Sequence, residues 1–269
     1  MLISFALLSA LLYICGTFLP PERRQAISLA IAAGWLLHGA TLWNEMLAPG
    51  SLRIGFAVVL SAALWVSVAI YWLENRNFAL DSLRVLILPF AAVVVILPLI
   101  FPGVVLSMEG RSALFSWHIA IAILAYSSLT IAAFHAVLMA LQESRLHMRP
   151  AASGHGWLMS ALDRLPALLT MEKLLFRMIA VGFVLLTFTV FSGIVFSEQL
   201  FGMPLRWDHK SIFTLLSWML FGILLAGRKW QGWRGKTALS FTLTGFAALL
   251  LAYVGSRFVL EVVLQRMGG

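Results

Sequence analysis

Apolar positions in this 269-residue chain fall in long, nearly unbroken runs divided by short polar breaks. Eight runs reach or approach the ~20 residues that cross a bilayer as a helix. They occupy residues 2–19, 26–47, 52–73, 83–101, 113–141, 174–197, 211–226 and 237–264. The breaks carry turn and stop residues: Pro20-Pro21 after the first run, Ala48-Pro49-Gly50 after the second, Pro102-Gly103 after the fourth. Pro89 and Pro98 lie inside the fourth run and are expected to bend it. Strands of a transmembrane barrel alternate over segments of ~10 residues, and no such alternation occurs. The pattern predicts an all-α, polytopic integral membrane helical bundle of about eight transmembrane helices, one membrane domain over residues 1–269.

Composition agrees: 61% of residues are hydrophobic, 11% are charged, and the mean hydropathy of +0.96 is far above that of a soluble domain. The net charge of +8 does not point to nucleic acid, because the cations sit in short connections rather than on a basic stripe. Connections after runs one, three, five and seven, with Arg177, hold 13 Lys and Arg, and the other side holds 6. The positive-inside bias therefore orients both termini outward, into the periplasm if the host is a Gram-negative bacterium with the chain in its inner membrane. The N-terminus lacks a basic leader and a small-residue cleavage site, so residues 2–19 read as a retained span. Cys15 is the only cysteine, which excludes an intramolecular disulfide and a Cys-x-x-Cys-His site for covalent haem. The connection 142–173 faces the cytoplasm, and its half-apolar pieces 157–162 and 165–171 are expected to lie in the interface as short helices.

Charge is so scarce that Arg206-Trp207-Asp208-His209-Lys210, between runs six and seven, stands out. Ionisable groups crowding a membrane helix mouth suggest a site, although an interfacial belt also collects Trp, Arg and Lys. Of six histidines, His147 and His155 fall in the inward loop, His38 lies mid-span, and His118 and His135 lie at opposite ends of run five. His118 and His209 each begin a helix on the outward side, which places them at one depth, where neutral imidazole is a common haem-iron ligand. Arg206 and Lys210 suit haem propionates. Asp208 either orients His209 or caps a helix. Arg257 has a simpler partner in Glu261, one turn on. For His38 and His135 a hydrogen-bonded core role is expected.

Residues 174–218, with Ser192-Gly193, Glu198, Gly202 and Trp207-Asp208-His209-Lys210, followed by Gly232-Trp233-Arg234-Gly235-Lys236, resemble cytochrome c assembly proteins of the CcsA/CcmC type. Ser116-Trp117-His118 and Tyr126-Ser127-Ser128-Leu129 resemble that family's histidine-bearing helix. The likeness covers residues 111–258, with the outward Trp-Asp loop at 198–210. It implies a membrane protein that handles haem on its outer face, His118 as an axial ligand, and Trp207 and Asp208 as loop residues. The chain departs from the family in three places. Phe196 and Phe201 stand where further tryptophans are usual, and His209 replaces a proline. No second outward histidine follows Gly255-Ser256-Arg257-Phe258, and Leu225-Ala226-Gly227 lacks an inner one. These departures bring it nearest the YpjD and HemX-like branch. His209 as second ligand follows from depth alone.

The leading expectation is therefore a haem-handling membrane protein, not an enzyme, that binds haem non-covalently through His118 and His209 with Trp207, Asp208, Arg206 and Lys210. Its partners are the lipid bilayer and a membrane or cytoplasmic protein. The alternatives are a HemX-like regulator of haem-synthesis enzymes acting through the inward loop, and a transporter of small cations or metabolites using His38, His135 and Glu261. No mid-membrane carboxylate pair or inverted repeat favours the transporter.

Overall fold

Backbone groups in hydrocarbon must find partners within their own segment, so long apolar runs fold as helices. The computed structural model describes residues 2–48, 51–78, 81–110, 113–146, 163–201 and 207–263, and there the expected bundle forms. Its helices are α1 (Leu2–Phe18), α2 (Arg24–Met46), α3 (Phe56–Phe78), α4 (Arg84–Val94), α5 (Leu97–Ile100), α6 (Ala113–Leu146), α7 (Leu168–Phe201), α8 (His209–Gln231) and α9 (Gly235–Leu250). The last helix runs on through π-wound turns, Leu251–Gly255 and Val259–Val263, either side of the short α10 (Ser256–Phe258). Among the described residues seven segments are long and apolar enough to cross a membrane, and the 17-residue α1 packs beside them. The fourth run crosses as α4 and α5 together, with Pro89 inside the first and Pro98 opening the second after a break at Val95-Ile96.

Helices α1 to α4 form one group and α6 to α9 another, joined where α3 packs on α6. The most extensive pairing is α6 against α7. It is close because Gly182 has no side chain: a Cβ there would lie 2.6 Å from Leu129 Cδ2.

A three-stranded antiparallel sheet, which the hydropathy pattern does not show, covers one end of the first group. Strand β2 (Ser51–Ile54) lies between β1 (Leu47–Ala48) and β3 (Val104–Ser107), with Leu52 opposite Leu106 and Ile54 opposite Val104. Residues 52–54, read from the sequence as the start of a span, belong to this strand, and α3 begins at Phe56. Leu52 and Ile54 bury alternate positions against Val59, the period of a strand rather than a helix. Gly103, at φ +73°, brings its backbone against Gly55, where a Cβ would stand 2.7 Å from Gly103 Cα.

His38 and His135 are buried core residues, and His38 has a hydrogen-bond partner at both ring nitrogens. His38 is fully buried, with Nε2 2.8 Å from Ser61 Oγ and Nδ1 3.3 Å from the Tyr13 hydroxyl, tying α1, α2 and α3 together. His135 Nδ1 meets Ile131 O at 2.9 Å, and its Nε2 lies 3.8 Å from Glu74 of α3.

At the end of the bundle opposite Asp208, Glu172 of α7 pairs with Arg228 and, at 3.2 Å, with Arg234. Arg145 and Asp163 pair across the long connection. Within that connection, Leu168–Met171 form the first turn of α7, while residues 157–162, His147 and His155 lie outside the described residues.

Candidate functional site

Spacing along α6 starts the site. His118, Ala122 and Tyr126 follow one another at intervals of four and share one face of the helix. That face closes a cavity of about 300 Å³ against α7, the start of α8 and the π-wound end of the last helix. Leu186, Val190 and Ile194 of α7 give it apolar walls, and Lys210, Thr214 and Tyr253 supply polar groups.

His118 is held firmly. Its Nδ1 lies 2.7 Å from Ser192 Oγ, and Phe196 stands edge-on with ring centres 5.6 Å apart. Ser192 has one hydroxyl proton, and its oxygen sits 2.7 Å from Phe188 O one turn back, an acceptor with no other role for that proton. The serine oxygen is thus left to accept from Nδ1–H. Nε2 then carries the lone pair, the state of an imidazole ligand whose other nitrogen is anchored.

The residues of the loop divide. Asp208 is the N-cap of α8: its Oδ1 accepts from the Ser211 N–H at 2.9 Å. Capping, one of its two expected roles, is what its side chain does. Lys210 lines the cavity, with Nζ 5.9 Å from the centre of the Tyr253 ring. Trp207 is 74% exposed. Arg206 lies outside the described residues.

His209 is exposed and does not line the cavity, so equal depth is a poor guide to its direction. The cavity takes positions 210, 211, 214 and 215 of α8. At about 100° per residue, position 209 points close to the opposite way. The structure brings His118 and Lys210 together, and leaves Trp207, Asp208 and His209 on the outer rim.

Three contributors were not singled out from sequence. Ser192 appeared only as part of a motif. Tyr126 was detectable, since it shares the i, i+4, i+8 face of His118. Tyr253 was not, because its direction depends on a π turn that no periodicity shows. Arg257 and Glu261 do pair, at 4.0 Å, and the Glu261 carboxylate lies near the Phe56 N–H at the start of α3.

Comparison with known proteins bears on this geometry. The family profile described as Cytochrome C assembly protein matches residues 4–264. Inner membrane protein YpjD of Escherichia coli is 27% identical over 248 residues, covering 90% of this chain and 88% of that protein. Cytochrome c biogenesis protein CcsA of Prochlorococcus marinus is 26% identical over 158 residues, 53% of this chain and 50% of that protein. CcsA of Thermosynechococcus vestitus is 33% identical over 95 residues, 35% of this chain and 30% of that protein. The likeness to YpjD thus spans nine-tenths of the chain, while that to these CcsA proteins spans about half or less.

Proposed function

This chain belongs to the cytochrome c assembly protein family, and from that premise we propose that it binds haem in the His118 cavity, at the outward face of the bacterial inner membrane, for delivery or assembly there. The observation that carries the reading is the His118–Ser192 contact of 2.7 Å at the cavity wall. It fixes the imidazole in the tautomer and orientation of a metal ligand. The outward orientation rests on the 13-to-6 division of cations. Location in the inner membrane rests on the spans and on the likeness to YpjD.

The residues present fit the group. A cavity of about 300 Å³ is at the lower end of ligand pockets. Its walls are mainly aliphatic, with one cation, Lys210, at the start of α8. Haem would supply an iron that a neutral imidazole can ligate. His118 would ligate it, Ser192 would keep the ring from turning, and Lys210 would attract a propionate. The exposed Trp207 would act at the rim, Asp208 would hold the start of α8, and His209 would face solvent.

The test is the visible absorption spectrum of the purified protein during titration with haemin. A Soret band is expected to grow to saturation. His118→Ala should weaken binding by about a hundredfold, and His209→Ala should leave it unchanged. Absence of a saturable band, or a His118→Ala protein that binds equally well, overturns the proposal.

A further inference from the structure

The far wall of the cavity is made by an irregularity in the last helix. In an α-helix the Tyr253 N–H would bond to Leu249 O. Here the Tyr126 hydroxyl stands between them. It donates to Leu249 O at 2.7 Å, and its oxygen lies near the Tyr253 N–H. The helix answers by π winding over Leu251–Gly255, with the Ser256 N–H bonded to Leu251 O five residues back. A side chain inserted into the hydrogen-bond ladder is a known cause of such a turn, and π turns gather at functional sites. One extra residue in a turn rotates every following side chain by about 100°.

The rotation has two visible results. Tyr253 faces the cavity, with Lys210 Nζ 5.9 Å from its ring centre. The Glu261 carboxylate comes near the Phe56 N–H at the start of α3. The Tyr253 hydroxyl is buried, yet it has no well-aligned partner among the described residues, although the Arg257 guanidinium comes near. Buried hydroxyls are normally bonded, so an orphaned one on a cavity wall suits a polar group of a ligand. Of the charged groups around it, Arg257 is paired with Glu261, and Lys210 on the cavity wall is the cation that favours an anionic group. A phenol O–H that donates to a carboxylate forms a short, charge-assisted bond.

We propose that Tyr253, aimed by the inserted Tyr126 hydroxyl, is a ligand-binding residue that together with Lys210 recognises a carboxylate at the edge of the ligand across from His118. The inference rests on the haem reading and adds an orientation to it: the carboxylate edge lies toward the last helix. Tyr126 is a positioning residue, since its hydroxyl is occupied by the backbone.

The experiment compares haemin with its dimethyl ester, which has the same macrocycle and iron but no free carboxylate, on the full-length protein in detergent. Tyr253→Phe is expected to lower haemin affinity about tenfold, to leave ester affinity unchanged, and to keep the Soret maximum, because His118 ligation is untouched. Tyr126→Phe should show the same selective loss, and the double variant should lose no more than either single one. Equal binding of haemin by Tyr253→Phe and the unaltered protein overturns the inference, as does an equal loss with both porphyrins. If Tyr126→Phe fails to fold, Tyr253→Phe decides alone. Failure of the unaltered protein to bind either porphyrin removes the haem reading and this inference together. Haemin binding that ignores Tyr253 removes only the inference.

Discussion

At the scale of single residues, a site is made by which lone pairs are left over. Ser192 gives its proton to Phe188 O and receives one from His118, so the imidazole presents a defined nitrogen. Ser192→Ala is therefore expected to reduce haemin affinity about tenfold, while Ser192→Thr keeps most of it, as read by titration at the Soret band. His38 offers the contrast. Both of its ring nitrogens have partners, Tyr13 and Ser61, so it has nothing left for a ligand and serves to join three helices. His38→Ala leaves the Tyr13 and Ser61 hydroxyls short of a partner and opens a cavity. It should lower stability by roughly 2–4 kcal/mol in reversible unfolding, with haemin affinity unchanged. An unchanged unfolding midpoint would contradict that role.

At the scale of elements, local departures from regular geometry decide where side chains point. The period-2 burial of Leu52 and Ile54 makes a strand in a stretch that hydropathy assigns to a helix. That strand meets the β3 end through Gly55 and Gly103. An alanine at Gly103 would carry a Cβ at φ +73°, 2.6 Å from Ile54 O. Gly103→Ala should cost about 1–3 kcal/mol for the backbone conformation, and more for the clash. Thermal unfolding in detergent measures it, and a variant as stable as the parent would show that the sheet yields freely. The π turns of the last helix are the second departure, and the one on which the cavity wall depends. Pro98 is a third, milder one: it opens α5 after the break at Val95-Ile96, and α4 and α5 together make up one apolar span.

At the scale of the whole molecule, the bundle has two chemically distinct ends. One carries the sheet, the N-cap of α8 and the cavity. The other carries the Glu172 pairs with Arg228 and Arg234, the Arg145–Asp163 pair, and most of the cations. The proposed orientation can be checked with single cysteines in a Cys15→Ser background. Glu109→Cys should react with a membrane-impermeant thiol reagent in intact spheroplasts, and Arg164→Cys only after lysis; both positions are exposed. The reverse pattern would invert the topology and place the cavity on the cytoplasmic side.

How much of this the sequence determined by itself follows from what each feature depends on. The membrane class and the crossings are legible because they depend on runs of residue type, and transfer from water to hydrocarbon adds up along a run without regard to neighbours, while the family is legible from the motifs around His118 and Trp207-Asp208. His118 and Lys210 were legible as candidates for the same reason, since charge and imidazole are scarce in such a chain. The direction of His209, the tautomer of His118, the strand at residues 51–54 and the turn that aims Tyr253 were decided only by tertiary structure. The last three each depend on a contact between residues far apart in the chain: Ser192 with His118, Gly55 with Gly103, Tyr126 with Leu249. A hydrogen bond between distant helices leaves no periodic trace, yet it determines which way a side chain faces.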